Sequence, residues 1–146
     1  MIYKNRNCPV CFKLFAPKTS RERWCSNDCR FKTHINPLWT VDHCWDWDGA
    51  IFKQTGYGQF GSAKHGVFTA HRYSYQLFNG QIPEGMFVCH SCDNKLCFNP
   101  KHLWVGTPKQ NSEDMMQKGR YNHIRSRPKG EDHWRRKLTE KQDGGK

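Results

Sequence analysis

The sequence predicts an α+β protein of short strands and short helices, held together partly by metal ligation. Residues 55–61 (TGYGQFG) and 66–70 (GVFTA) alternate aromatic or β-branched with small residues, then run straight into a helical pattern. The eight cysteines fall into two groups, and histidines interleave with the second. A hydrophobic content of 36% and a mean hydropathy of −0.95 are thin for a well-filled core in 146 residues, a deficit that metal staples compensate.

From the N-terminus, Cys8-x2-Cys11-x13-Cys25-x3-Cys29 sets four thiolates within 22 residues, a spacing suited to structural zinc. Cys8 and Cys11 suit a knuckle turn, and SNDCR at 26–30 can open a helix with Ser26 as N-cap. Arg21, Arg23, Arg30 and Lys32 surround this finger, which serves either as a folded cap or as a DNA contact. Residues 35–43 (INPLWTVDH) form a proline-containing linker. The two alternating stretches at 55–61 and 66–70 then pair as a β-hairpin with SAKH between them. AHRYSYQLFNG (70–80) places Tyr73 and Leu77 at helical spacing, and Gly80 stops the helix. PEG at 83–85 is a turn, and MFVCH is a short strand delivering His90. Thr107-Pro108-Lys109-Gln110 has the form of a capping box with proline at the first helical position. The expected helix runs from Pro108 to Lys118, closes at Gly119 and carries Asn111 in its first turn. The basic, breaker-rich RSRPKGEDHWRRKLTEKQDGGK reads as a mobile arm that touches phosphates.

Chemistry concentrates between Cys89 and Asn111. Cys92-x4-Cys97-x4-His102 can close three corners of a tetrahedral zinc site, and Cys44 in DHCWDWDG is the candidate for the fourth. His90 then stands without a ligand role beside a stapled loop, as a candidate general base, while Asn111 offers an amide oxygen to a hard cation. Together these point to metal-assisted phosphodiester hydrolysis. Cys89 is the odd cysteine, and strand alternation makes it a small buried hydrophobe. His71 and His65 lack ligand spacing and are expected to be structural or exposed. Glu113 and Asp114 read as solvated helix charge rather than metal ligands.

CWDWDG (44–49), GYGQF (56–60), AHRYSYQLFNG (70–80), His90-Ser91-Cys92, CFNPKHL (97–103), Gly106-Thr107 and Asn111 together resemble the HNH endonucleases of the ββα-metal class. Within that class they are close to the zinc-bound His-Cys box homing enzymes and their phage relatives. The resemblance runs from about Cys44 to Arg120. It implies a ββα-metal core with its own zinc, in which His90 activates water, Asn99 braces the loop and Asn111 binds the catalytic metal. An arginine contacts the scissile phosphate in such enzymes. Arg72, the only arginine between residues 36 and 117, is the natural choice, with a buried ion pair to Asp46 or Asp48 as the alternative. The four-cysteine segment resembles the treble-clef fingers that precede some phage nucleases, and GEDHWRRKLTE resembles a segment that follows HNH domains. The implied organisation is a finger over 1–35, a nuclease domain over 36–120 and a basic tail over 121–146. Its cofactors are two structural zinc ions and a catalytic Mg²⁺, which is hard and content with few protein ligands.

Charge agrees with a polyanionic partner. The chain holds 24 basic and 13 acidic groups, for a net +11. Residues 1–35 carry eight against two, 36–117 six against seven, and 118–146 ten against four. A near-neutral centre between two basic arms suits a core clamped to double-stranded DNA. MIYKNRN lacks an apolar core, so neither a signal peptide nor a membrane partner is expected; the protein reads as intracellular, where cysteines bind metal rather than pair. Two rival readings remain: a non-catalytic zinc-dependent DNA-binding protein, and an RNA-binding or RNA-cleaving one. A double-strand break would need two active sites, hence a homodimer, and no dimer stripe is visible.

Overall fold

The computed structural model describes residues 3–62 and 66–120. It is a small α+β arrangement of short, locally paired strands and a few helices. Its backbone divides into two compact units, Met1–Asn111 and Ser112–Lys146. The arm expected over 125–146 lies outside the described residues, as does His65.

β1 (Arg6–Asn7) pairs antiparallel with β2 (Leu14–Phe15). The turn between them is closed by Phe12 N–H on the Cys8 carbonyl and Cys8 N–H on the Lys13 carbonyl, both at 2.9 Å. Two-residue strands carry no readable periodicity, which is why the sequence does not announce them. α1 (Asn27–Lys32) starts at Ser26, whose hydroxyl accepts the Cys29 N–H at 3.2 Å.

β3 (Gln59–Ser62) and β4 (Gly66–Thr69) form the hairpin in the register Gln59↔Thr69. The first strand starts later than the alternation suggests, because residues 52–56 are used in a turn with Gly56 N–H on the Phe52 carbonyl at 2.8 Å. Gly58 allows a close approach: a Cβ there would lie 2.6 Å from Cγ of Trp47. α2 (Ala70–Phe78) follows at once, anchored by Ala70 N–H on the Gly58 carbonyl at 2.8 Å. Beyond the turn at 83–85, β5 (Phe87–His90) pairs with β6 (Leu103–Gly106) in the register His90↔Leu103. β6 is a strand that the sequence does not announce, because LWVG is apolar without alternation. α3 (Pro108–Gln117) opens on a reciprocal capping box, with Gln110 N–H on Thr107 Oγ1 at 3.2 Å and Thr107 N–H on Gln110 Oε1 at 2.8 Å.

The core of the first unit is aromatic, and Phe31 is its hub. Its fully buried ring stacks on Trp47 at 5.6 Å and meets Phe60, Tyr73 and Phe98 at 4.9, 4.9 and 5.4 Å. Such ring pairs add to simple area burial. Phe31 belongs to α1, so the four-cysteine segment inserts its helix into the same core as the hairpin and α2. Tyr73 Oη donates to Asp28 at 2.7 Å across that junction, and the Arg30 guanidinium lies 4.5 Å above the Phe60 ring.

Two ligand clusters and a histidine pair

Two groups of side chains converge closely enough that each could hold a metal ion. Cys8, Cys11, Cys25 and Cys29 form one, and Cys44, Cys92, Cys97 and His102 the other; within each, every ligand atom lies within 4.8 Å of the rest. In the first, the β1–β2 turn supplies one pair and the start of α1 the other. Cys11 and Cys25 sulfurs stand 3.4 Å apart, and Cys25 and Cys29 3.6 Å. In the second, His102 presents Nδ1 at 3.7 Å from Cys44 Sγ and 3.6 Å from Cys97 Sγ. Tetrahedral zinc with ordinary bond lengths gives edges of roughly 3.6–3.8 Å, so both donor sets have the size of a closed zinc site.

Their electrostatics also call for a cation. The Cys97 thiol is pushed up to about 12, first by burial and then, against backbone N–H groups of Asn99 and Trp45, by Cys92 and Cys44. Cys92 is raised by burial and Cys44. Cys25 is pushed up to about 12 by its hydrogen bond with Cys11 and by burial. Burial acts upward on Cys8 too, yet backbone N–H groups of Cys25, Cys11 and Val10 bring it down to about 6. Clustered thiols that resist joint ionisation are the group a divalent ion relieves.

Cys44 reaches its cluster through backbone pairing. Phe98 N–H donates to the Trp45 carbonyl and Trp47 N–H to the Leu96 carbonyl, both at 2.9 Å. Asn99, fully buried, adds a side-chain clamp: Nδ2 donates to the Val41 and His43 carbonyls at 2.8 Å, and Oδ1 accepts the Lys101 N–H at 3.0 Å.

His90 ends β5 beside this loop. Its Nε2 donates to the Cys97 carbonyl at 2.9 Å, which fixes the neutral tautomer and leaves the lone pair on Nδ1. Tyr57 lies parallel to the ring at 6.1 Å and 11°. His71 is also here, buried, as one of the two alternatives for it, structural or exposed, expects. Its ring lies 4.7 Å from His90 and 4.9 Å from Tyr57. Burial, then the charges of His90 and Arg72, bring His71 down to about 3. Spacing could not have flagged it, because the hairpin-to-helix junction rather than the ligand loop delivers it.

Asn111, exposed in the first turn of α3, is reached by Cys89, whose buried thiol donates to Asn111 Oδ1 at 3.3 Å. Cys89 is thus buried, yet polar in use rather than a plain hydrophobe. Arg72 is half-buried beside His71; Asp46 instead accepts from Asn94 at 2.6 Å and Asp48 pairs with His34, so neither carboxylate pairs with Arg72 among the described residues. Asp114 pairs with Lys118 at 2.9 Å and with Arg120.

Residues 68–113, which span His71 to Asn111, match a family model described as HNH endonuclease. Protein 7.7 of Escherichia phage T7 is 43% identical over 101 residues, covering 68% of this chain and 70% of that protein. Protein 2.8 of the same phage is 48% identical over 81 residues, covering 56% of this chain and 55% of that protein. An uncharacterized gene 5.3 protein of Enterobacteria phage T3 is 35% identical over 63 residues, covering 43% of this chain and 60% of that protein. The chain therefore spans little more than half the length of two of these relatives. No solved structure matches it. No helix among the described residues is long and apolar enough to cross a membrane.

Proposed function

The chain belongs to the HNH endonuclease family, and from that premise we propose that it hydrolyses phosphodiester bonds of double-stranded DNA, as a homing-type enzyme acting inside a phage-infected host. The observation that best supports this reading is the hydrogen bond from His90 Nε2 to the Cys97 carbonyl at 2.9 Å. It turns Nδ1 into the basic atom and ties its direction to the ligand loop, so His90 is positioned to take a proton from water. Arg72 steers the scissile phosphate, and Asn99 braces the ligand loop by tying it to the segment before Cys44. Asn111 is an exposed residue whose Oδ1, besides accepting from Cys89, suits a hard cation that keeps most of its waters, and Mg²⁺ held there would neutralise charge on the phosphate and the leaving oxygen. Cys8, Cys11, Cys25 and Cys29 would hold one zinc and Cys44, Cys92, Cys97 and His102 another, both structural because four protein ligands leave no open position.

The division of labour in this proposal is a treble-clef-like finger over 1–35, a nuclease domain over 36–120 and a phosphate-contacting tail over 121–146. A single chain carries one such site and nicks; a double-strand break requires two chains. Supercoiled plasmid incubated with Mg²⁺ should be relaxed or linearised, and EDTA should stop it. Binding of the plasmid without cleavage would favour the zinc-dependent DNA-binding reading, and cleavage of RNA alone the RNA one.

A further inference from the structure

Against His90 packs an imidazole that neither ligand cluster nor the proposed reaction uses. His71 stands in the first turn of α2, 6% exposed, with its ring against His90 and Tyr57. Its Nδ1 is buried and has no hydrogen-bond partner among the described residues. A phenylalanine would pack against the same rings without that unsatisfied nitrogen, so packing alone leaves the nitrogen unexplained. Burial keeps the ring neutral at physiological pH, and a neutral imidazole holds one N–H donor and one acceptor. Nδ1 is sealed from any ligand, so the nitrogen that can meet one is Nε2. Arg72, next in the chain, brings a positive charge to the same end of the helix.

We propose that His71 is a second catalytic histidine, whose neutral imidazole donates a hydrogen bond to a phosphate oxygen of bound DNA that the free protein leaves unmade. This rests on the reading of the His90 site as the cleavage site. The bond orients the phosphate for attack from the His90 side and adds a neutral donor where charge grows on the oxygens.

The test compares His71→Phe with His71→Gln in the full chain, each checked for zinc content. With duplex DNA saturating, His71→Phe should lower the single-turnover cleavage rate roughly tenfold or more, with DNA affinity changed by less than about twofold. His71→Gln keeps an N–H donor and should recover part of the rate. Wild-type cleavage by His71→Phe would overturn the proposal, as would equal slowing in both variants, which would mark His71 as packing only. Should His71→Phe lose zinc, the ¹⁵N imidazole resonances of the wild-type chain decide. Titration with duplex DNA in Ca²⁺ should shift His71, and an unmoved resonance overturns the assignment. Full activity of His90→Ala would instead sink the reading of the His90 site, while the His71 resonance still reports on its own bond.

Discussion

At Cys97 one residue serves two assemblies: its sulfur faces the second ligand cluster, and its carbonyl accepts from His90. Whatever holds the sulfur therefore also holds the tautomer of the proposed base. His90→Ala should lower cleavage by about 10²–10⁴-fold with DNA affinity nearly unchanged, read from single-turnover rates beside binding isotherms. His71 makes a separate prediction about stability. Its folded value of about 3 lies below the ordinary histidine value, so the unfolded chain takes up a proton first as the pH falls. The stability that neutral burial allows is therefore complete above about pH 6.5 and is lost as the pH drops from there toward 3. His71→Phe has nothing to protonate. Between pH 7 and about 4.5 its melting temperature should fall less than that of the wild-type protein, zinc loss being common to both. An equal fall would show that His71 is already protonated or solvated in the folded state.

Among the elements, α3 shows how a local signal can be read without its neighbours. Thr107 and Gln110 satisfy each other's backbone N–H groups, so the start of this helix is written in four consecutive residues. Thr107→Ala should cost about 0.5–2 kcal/mol and fray the turn that carries Asn111. The expected readout is a higher Mg²⁺ concentration for half-maximal cleavage, with the rate at saturation little changed. The hairpin, α2 and the ligand spacings were legible for the same reason: each is a pattern within one short window. β1 and β2 were not, because two residues carry no period, nor was β6, because LWVG does not alternate and only a distant partner makes Leu103–Gly106 a strand. Cys44 was reachable by elimination. The placement of His71 beside His90 was not, since it depends on how the hairpin meets β5.

For the molecule as a whole, a sequence with 36% hydrophobic content relies on two donor clusters and an aromatic hub in place of a large aliphatic core. Protein purified without chelators should contain two zinc ions per chain by elemental analysis. Strong chelation should unfold the core as well as stop cleavage, because ligand binding energy in such sites is folding energy. Reloading the stripped chain should release protons, since ordinary thiols, with a pKa of about 8.5, are mostly protonated at neutral pH and bind zinc as thiolates. Calorimetry in buffers of different ionisation enthalpy measures that release, and its absence would mean that thiolates are not the ligands. The sequence did not reveal how far the four-cysteine segment is shared with the rest, because nothing in RFKTH marks Phe31 as the ring on which Trp47, Phe60, Tyr73 and Phe98 meet.

That hub has a consequence for how the protein can be cut apart. A chain divided between residues 35 and 43 loses no ligand from either cluster, yet it separates Phe31 from every ring it touches. The larger piece would carry a hole the size of a phenyl group, and the smaller one an exposed aromatic knob on a short helix. Such halves behave like a lock and its missing pin. Each alone should be poorly folded and inert, and mixing them should restore one melting transition and the proposed cleavage together, with the re-entry of a single side chain as the switch.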